Sequence, residues 1–225
     1  MADYHSSLTG PEIDAALTRA KSGGPIDIAL DGKAPAGYGL GSTHNAVSDA
    51  NTIVAFGCYS TKVNTPTGDW CTILHIPYGE NNATQYAKIG EGYDYQRKCA
   101  AKRDKINGTW QPWEWVNPPM VVGTEYRTTE RYLGKPVYAK LVDCGAGPNK
   151  ARKTVSAGIS NVDKAVSATG SWALLSIPYE FYSGDVNGAQ AISVTLNGTS
   201  VEIASTVDYS TNTVYALIKY TKTTD

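Results

Sequence analysis

The chain has 225 residues, with 20 Lys plus Arg against 21 Asp plus Glu and a formal net charge of −1. Its basic residues are scattered and not striped, which argues against a nucleic-acid partner, and no stretch approaches the ~20 apolar residues that a membrane span needs. Tyr outnumbers Phe 15 to 2 beside 22 Gly, a balance that suits twisted sheets with hydrogen-bonding surfaces.

The length allows one or two domains with cores of their own. The pattern divides it into 1–51, a helix and a Gly/Pro-rich linker; 52–119, a small β unit; and 120–225, a second β unit. In Leu8-Thr-Gly-Pro-Glu-Ile13, Thr9 caps a helix, Glu12 reaches back to it and Leu8 packs on Ile13. The helix is expected to end near Lys21, before Ser22-Gly-Gly-Pro25. Its narrow apolar stripe is Ile13, Ala16, Leu17 and Ala20. Three turns are not stable alone in water, so the stripe either packs on its own chain's sheet or meets its copies around an axis. In the second reading Ile13, Leu17 and Ala20 are the contacts.

The run Asp31 to Gly41 is too rich in Gly and Pro for helix or long strand. Gly37-x-Gly-x-Gly41 lacks the buried strand that a dinucleotide fingerprint requires, so no cofactor is expected. From Thr52 to Tyr59 the chain is apolar, Asn64-Thr-Pro-Thr-Gly68 is a turn, and Trp70 to Ile76 alternates until Pro77 is expected to stop it. Ala83 to Ile89 and Tyr93 to Lys98 read as two more strands. Gly108-Thr-Trp-Gln-Pro-Trp-Glu-Trp115 closes the unit with aromatics at every second or third position.

Cys58, Cys71, Cys99 and Cys144 match no zinc pattern, and His5, His44 and His75 do not cluster, so no metal site is expected. No charged-then-apolar leader opens the sequence, and all four Cys are expected to be reduced. A cross-strand Cys58–Cys71 disulfide is the competing reading.

Taken in order, Gly57-Cys-Tyr59, Asn64-Thr-Pro66 with Trp70, Ile76-Pro-Tyr78, Tyr93-Asp-Tyr-Gln-Arg97 and Asn107-Gly-Thr-Trp-Gln-Pro-Trp113 resemble the knob module of bacteriophage and pyocin tail fibres. The resemblance implies a small β-rich knob on a trimeric fibre, a spacer or receptor-facing element with no enzymatic activity. It also implies that the N-terminus is the attachment end and that the helical stripe is a three-helix contact.

Val116-Asn-Pro-Pro-Met120 reads as a stiff linker and domain boundary. Beyond it, Thr124 to Tyr132 and Val137 to Val142 read as strands around Gly134-Lys-Pro136, with Val137, Ala139 and Leu141 sharing a face. Ile192 to Ile203 reads as a hairpin turning at Asn197-Gly198, with Ile192, Val194, Leu196, Val201 and Ile203 alternating. A last strand runs from Val214 to Tyr220. Tyr126-Arg-Thr-Thr-Glu130, Gly134-Lys-Pro-Val-Tyr138 and the terminal Tyr-Thr-Lys are similar to the C-terminal domain of phage tail and fibre proteins. That resemblance implies a β-sandwich tip.

Trp113 and Trp115 flank Glu114 on one side of a strand, as core or as a stacking platform, with the core reading ahead. Trp110, in the turn before them, is the better candidate for exposure. In the second unit, Trp172, Tyr179 and Tyr182 fall in loop-rich sequence between Gly170 and Gly184, where binding residues concentrate. Flat aromatic faces beside Glu180 and Asp185 suit saccharide hydroxyls; the alternative is that Trp172 and Phe181 fill the sandwich core. Glu80, Glu91, Asp94 and Glu114 sit in no motif that fixes a catalytic partner. His75 reads as a core-edge residue, and Asp94, Arg97 and Arg103 as solvated charges.

The fold expected is therefore mainly β: a short N-terminal helix, a knob and a C-terminal β-sandwich in an elongated homotrimeric fibre. The function expected is virion attachment to a host-surface glycan, in a non-enzymatic protein joined to the particle through its N-terminus. A capsid head fibre or decoration protein is one alternative. A tail-associated glycan hydrolase is the other, although the repeated coils of long β-helical depolymerases are not found here.

Overall fold

The computed structural model describes residues 45–89, 99–172, 175–177 and 192–224. The expected N-terminal helix, the Gly/Pro-rich linker and the strand at 93–98 lie outside these residues. The first unit contains β1 (Asn45–Ala46), a 3-10 turn at Ala50–Thr52, β2 (Gly57–Thr61), β3 (Cys71–Gly79), β4 (Asn82–Ile89), β5 (Ala100–Ile106), β6 (Thr109–Trp110) and β7 (Glu114–Asn117). The second contains β8 (Glu125–Tyr132), β9 (Lys135–Ala146), β10 (Arg152–Ser156), β11 (Val162–Trp172), β12 (Leu175–Ile177), β13 (Ile192–Asn197), β14 (Ser200–Ser205) and β15 (Thr213–Lys222). The described chain is mainly β, as expected.

One twelve-stranded sheet runs through both units in the order β1-β2-β3-β4-β5-β7-β8-β9-β15-β11-β12, with β6 on β5. A second sheet, β10-β14-β13, lies over part of it. The crossing is made by β7 and β8, which pair in parallel with Trp115 opposite Thr128. Asn117-Pro-Pro119, expected as a stiff spacer, is thus a short crossover between strands that lie side by side. Asn117 is itself held there, its Oδ1 accepting the Ala100 N–H at 2.6 Å.

The cores of the two units sit on opposite faces of the shared sheet. Directly opposed residues share a face, so Trp115 lies with Thr128, and with Tyr126 two residues earlier; both aromatics belong to the first core, with Tyr59, Ile73 and Ala101. On the other face Arg127 opposes Tyr138, and alternation along β9 carries that face to Val142 and Cys144. These two belong to the second core, with Val194, Val201 and Ile203 of the small sheet and Val214, Ala216 and Ile218 of β15. The sandwich is real, but Val137 and Ala139, at 1% and 2% exposure, are buried on the face away from it. Val137, Ala139 and Leu141 share a face as expected, and Val142 and Cys144 on the other face supply the sandwich contacts.

Several boundaries differ from expectation for local reasons. β3 continues through Pro77, because beyond the Gly57–His75 pair only β4 lies beside it, an edge position where a missing N–H is tolerated. The β13–β14 hairpin turns at Gly198-Thr199, with Asn197 paired to Ser200; φ is +59° at Gly198, as in a turn led by Gly. β11 carries no apolar alternation, and nothing in its small, polar sequence marked an eleven-residue strand. Cys58 lies opposite Leu74 while Cys71 lies opposite Thr61. Three rungs separate them, about 10 Å at 3.3 Å per residue, beyond disulfide reach, and all four Cys stand outside any disulfide.

Candidate functional site

β4 and β5 turn Gln85 and Arg103 inward on the face that also carries Ala87 and Ala101. Arg103, read as a solvated charge, is instead 5% exposed, and His75, read as a core-edge residue, is 2% exposed. Arg103 donates through Nε at 2.9 Å and Nη2 at 2.7 Å to Gln85 Oε1. A guanidinium has no acceptor, so these two bonds fix the Gln85 amide with its nitrogen toward Ala50 O at 2.7 Å and His75 Nδ1 at 3.2 Å. His75 Nδ1 must then accept, which leaves the imidazole proton on Nε2 and the ring neutral. Burial first, then the charges of Lys105 and Arg103, lower the His75 pKa. Burial also pushes the Arg103 guanidinium down to about 10, against the attraction of Asp49, so it remains charged at neutral pH.

The Arg103 guanidinium carbon lies 4.2 Å from the Trp110 ring centroid and 4.4 Å from that of Trp113. Trp110 also meets His75 edge-on, with centroids 6.1 Å apart. Trp113 Nε1 donates to Asn64 O at 3.0 Å, and Asn64 Nδ2 donates to both carboxylate oxygens of Asp49 at 2.8 Å. Both indoles are half-buried, so each is anchored on one side and partly open on the other. Two fixed aromatic faces beside a carboxylate can stack on a sugar ring and accept from its hydroxyls. Trp115, by contrast, is a core residue at 8% exposure.

At the junction, Glu114 accepts from Arg127 Nε at 3.1 Å and from Arg131 Nη2 at 2.7 and 2.9 Å. Arg127 Nη1 continues to the Tyr138 hydroxyl at 3.3 Å. Tyr138 stacks on Tyr220 at 6.1 Å, and the Tyr220 hydroxyl donates to Glu125. Burial and the Glu125 carboxylate hold the Tyr220 proton far above the ordinary phenol range. On the opposite face Trp115 and Tyr126 meet edge-to-face at 5.4 Å and 88°. Beside them opens a cleft of about 680 Å³, walled by Ile89, Cys99, Trp115, Tyr126 and Val121 and rimmed by Pro66 and Pro119.

Of the residues singled out from sequence, Trp110 is on the described surface. The backbone of Trp172 forms the last position of β11, paired with Val214 of β15 and Leu175 of β12, so it belongs to a strand and not to the expected loop. Tyr179, Tyr182, Ile13, Leu17 and Ala20 lie outside the described residues. Arg103 was missed because nothing in Ala100-Ala-Lys-Arg-Asp-Lys105 shows which alternate set of side chains is buried; pairing with β4 decides it. Among the described residues no group of three or more His, Cys, Asp or Glu could hold a metal ion, and no helix is long and apolar enough to cross a membrane.

No protein-family model matches the sequence, and no curated protein matches it. Solved structures similar to this chain are pyocin tail fibres. An N-truncated R2-type pyocin tail fibre is 10% identical, with 79% of this chain and 96% of that one covered and a TM-score of 0.26. The C-terminal part of the P. aeruginosa R1 pyocin fibre is 11% identical, covering 80% and 67%, at a TM-score of 0.28. That of the P. aeruginosa R2 fibre is 9% identical, covering 81% and 69%, at 0.27.

Proposed function

We propose that this chain is a subunit of a phage- or pyocin-type fibre that holds a particle to a host-surface glycan without turning it over. The observation that carries the reading is the pair of half-open indoles, Trp110 and Trp113, pinned around a buried guanidinium. Fixing large flat groups in advance lowers the entropy cost of binding, which suits adhesion. The fibre is a homotrimer attached through its N-terminus, with Ile13, Leu17 and Ala20 as contacts around the axis. Three copies of a weak site hold a surface through avidity. Trp172, Tyr179 and Tyr182 form the second candidate surface, nearer the distal end. Attachment to a capsid in place of a tail serves the same chemistry.

Host-cell binding by the full chain tests the reading. Trp110→Phe keeps a ring over Arg103 but shrinks the stacking face, so it is expected to weaken binding about tenfold with little change in melting temperature. Trp172→Ala serves as the control for the distal surface. If neither variant loses binding, or if host polysaccharide releases reducing ends over hours, the adhesive reading falls. Light scattering is expected to return three times the 24.0 kDa chain mass.

A further inference from the structure

Two hairpins of this chain are closed by the same kind of two-residue loop. Between β5 and β6 it is Asn107-Gly108, with φ of +50° and +84°. Between β8 and β9 it is Leu133-Gly134, with φ of +50° and +80°. Positive φ at both positions belongs to the type I′ turn, where Asn-Gly is strongly preferred. A leucine in the left-handed region is strained by its Cβ. Yet Leu133 gains nothing within its own chain, being 81% exposed, and the adjoining Tyr132 is 40% exposed. A register shift between Arg127 and Arg131 re-aims the hairpin end, as bulges do. Strain kept at an exposed apolar tip points to a contact made outside the chain.

The same strand that ends in this tip begins at the junction cleft. Tyr126 of β8 lines the cleft, and Tyr132 lies six residues on, about 20 Å away at 3.3 Å per residue. A paired strand cannot fold back on itself, so the tip cannot reach its own cleft. It can reach that of another copy. The cleft, at about 680 Å³, has room for Leu133 and the Tyr132 ring. Its apolar floor, Ile89, Trp115 and Tyr126, continues onto the exposed Val121 of the rim. Glu125 also lines the cleft but turns its carboxylate to Tyr220 and Lys222, so the described lining offers the tip an apolar contact and not a counter-charge. The tip is flanked by Arg131 and Lys135, whose side chains stay 43% and 47% exposed beside their partners Glu114 and Asp163; Glu130 nearby is tied to Lys219.

We propose that the Tyr132-Leu133 tip of one copy seats in the junction cleft of the next. The contact joins two different patches, so it propagates head to tail and closes into a ring when the rotation between copies allows. This rests on the self-associating fibre proposed above, and it supplies that fibre with a subunit contact away from the N-terminus.

Sedimentation velocity on the full chain tests it, with Leu133→Asn and Val121→Asp. Asn suits the strained position, so Leu133→Asn is expected to keep or raise the melting temperature while raising the concentration at which the assembly dissociates by at least about tenfold. Val121→Asp, on the exposed rim, is expected to do the same to assembly. Mixing the two restores one intact contact, tip of one on cleft of the other, and is expected to yield pairs that neither variant forms alone. Wild-type assembly by Leu133→Asn overturns the contact and leaves the fibre reading standing. The same is true if that variant assembles normally and loses only cell binding, which would assign the tip to the host receptor. A wild-type chain that stays monomeric overturns the contact and the trimer together.

Discussion

The first unit buries His75, Gln85 and Arg103 among its apolar residues, whereas the second closes around Val194, Val201, Ile203, Val214 and Ile218, each fully buried. One core is specified by directional bonds, through which Arg103 orients the Gln85 amide and Gln85 sets the His75 tautomer. The other is specified mainly by volume, with Tyr220 and Lys140 among its few polar members. Because the cores cover opposite faces of one sheet, neither unit shields the other's interior; they are coupled through strand pairing, the Glu114 ion pairs and the Trp115–Tyr126 contact. The indoles Trp110 and Trp113 stand on the bonded core, where the buried Arg103 guanidinium fixes them from below.

The contrast can be broken from either side. Ile203→Ala is expected to cost about 3–4 kcal/mol as a cavity in a packed interior, equally at every pH. Arg103→Met is expected to cost about 2–3 kcal/mol, because Gln85 Oε1 is left buried without a donor. Adding Gln85→Leu and His75→Leu should recover part of that loss, since the orphaned Oε1 and ring nitrogen go with their side chains and only the Ala50 carbonyl loses its donor; no second change rescues Ile203→Ala in this way. Urea unfolding followed by Trp fluorescence separates these cases, and failure of the triple variant to recover would put the cost in lost packing on Trp110 and Trp113.

Glu114→Gln tests the coupling. Its side chain is 9% exposed and serves Arg127 and the more open Arg131, so a loss of about 2 kcal/mol is expected. Calorimetry should then resolve one unfolding transition into two, the first unit melting apart from the second. A single transition at a lower temperature would mean that strand pairing alone unites them.

The smallest effect is set by pH. The folded state lowers the His75 pKa below its ordinary 6.5, so the unfolded chain takes up the proton more readily. The stability that neutral His75 contributes is therefore whole above about pH 6.5 and is lost as pH falls from there through the folded pKa. The urea midpoint of the first unit should drop between pH 7 and 5, and His75→Leu should drop less. Equal slopes would assign the loss to the carboxylates.

Strands whose side chains alternate, such as β3, β4 and β13 to β15, were legible because a period of two is a local property of the chain. The turns were legible to within a residue, the β13–β14 loop falling one position beyond the expected Asn197-Gly198. Of the aromatic half of the candidate site, Trp110 was named from the sequence, whereas Trp113 was read with Trp115 as core and is half-buried. What lay between them could not be named, since a guanidinium looks solvated until strand pairing shows which face it occupies. Only the tertiary structure decided that β9 serves the sandwich with Val142 and Cys144, that the polar run ending at Trp172 is a strand, and that Glu114 finds its counter-ions on β8. Each of these depends on register between strands made from separate parts of the chain. A one-residue shift in register reverses every side chain, and no local pattern records which shift the assembled sheet adopts.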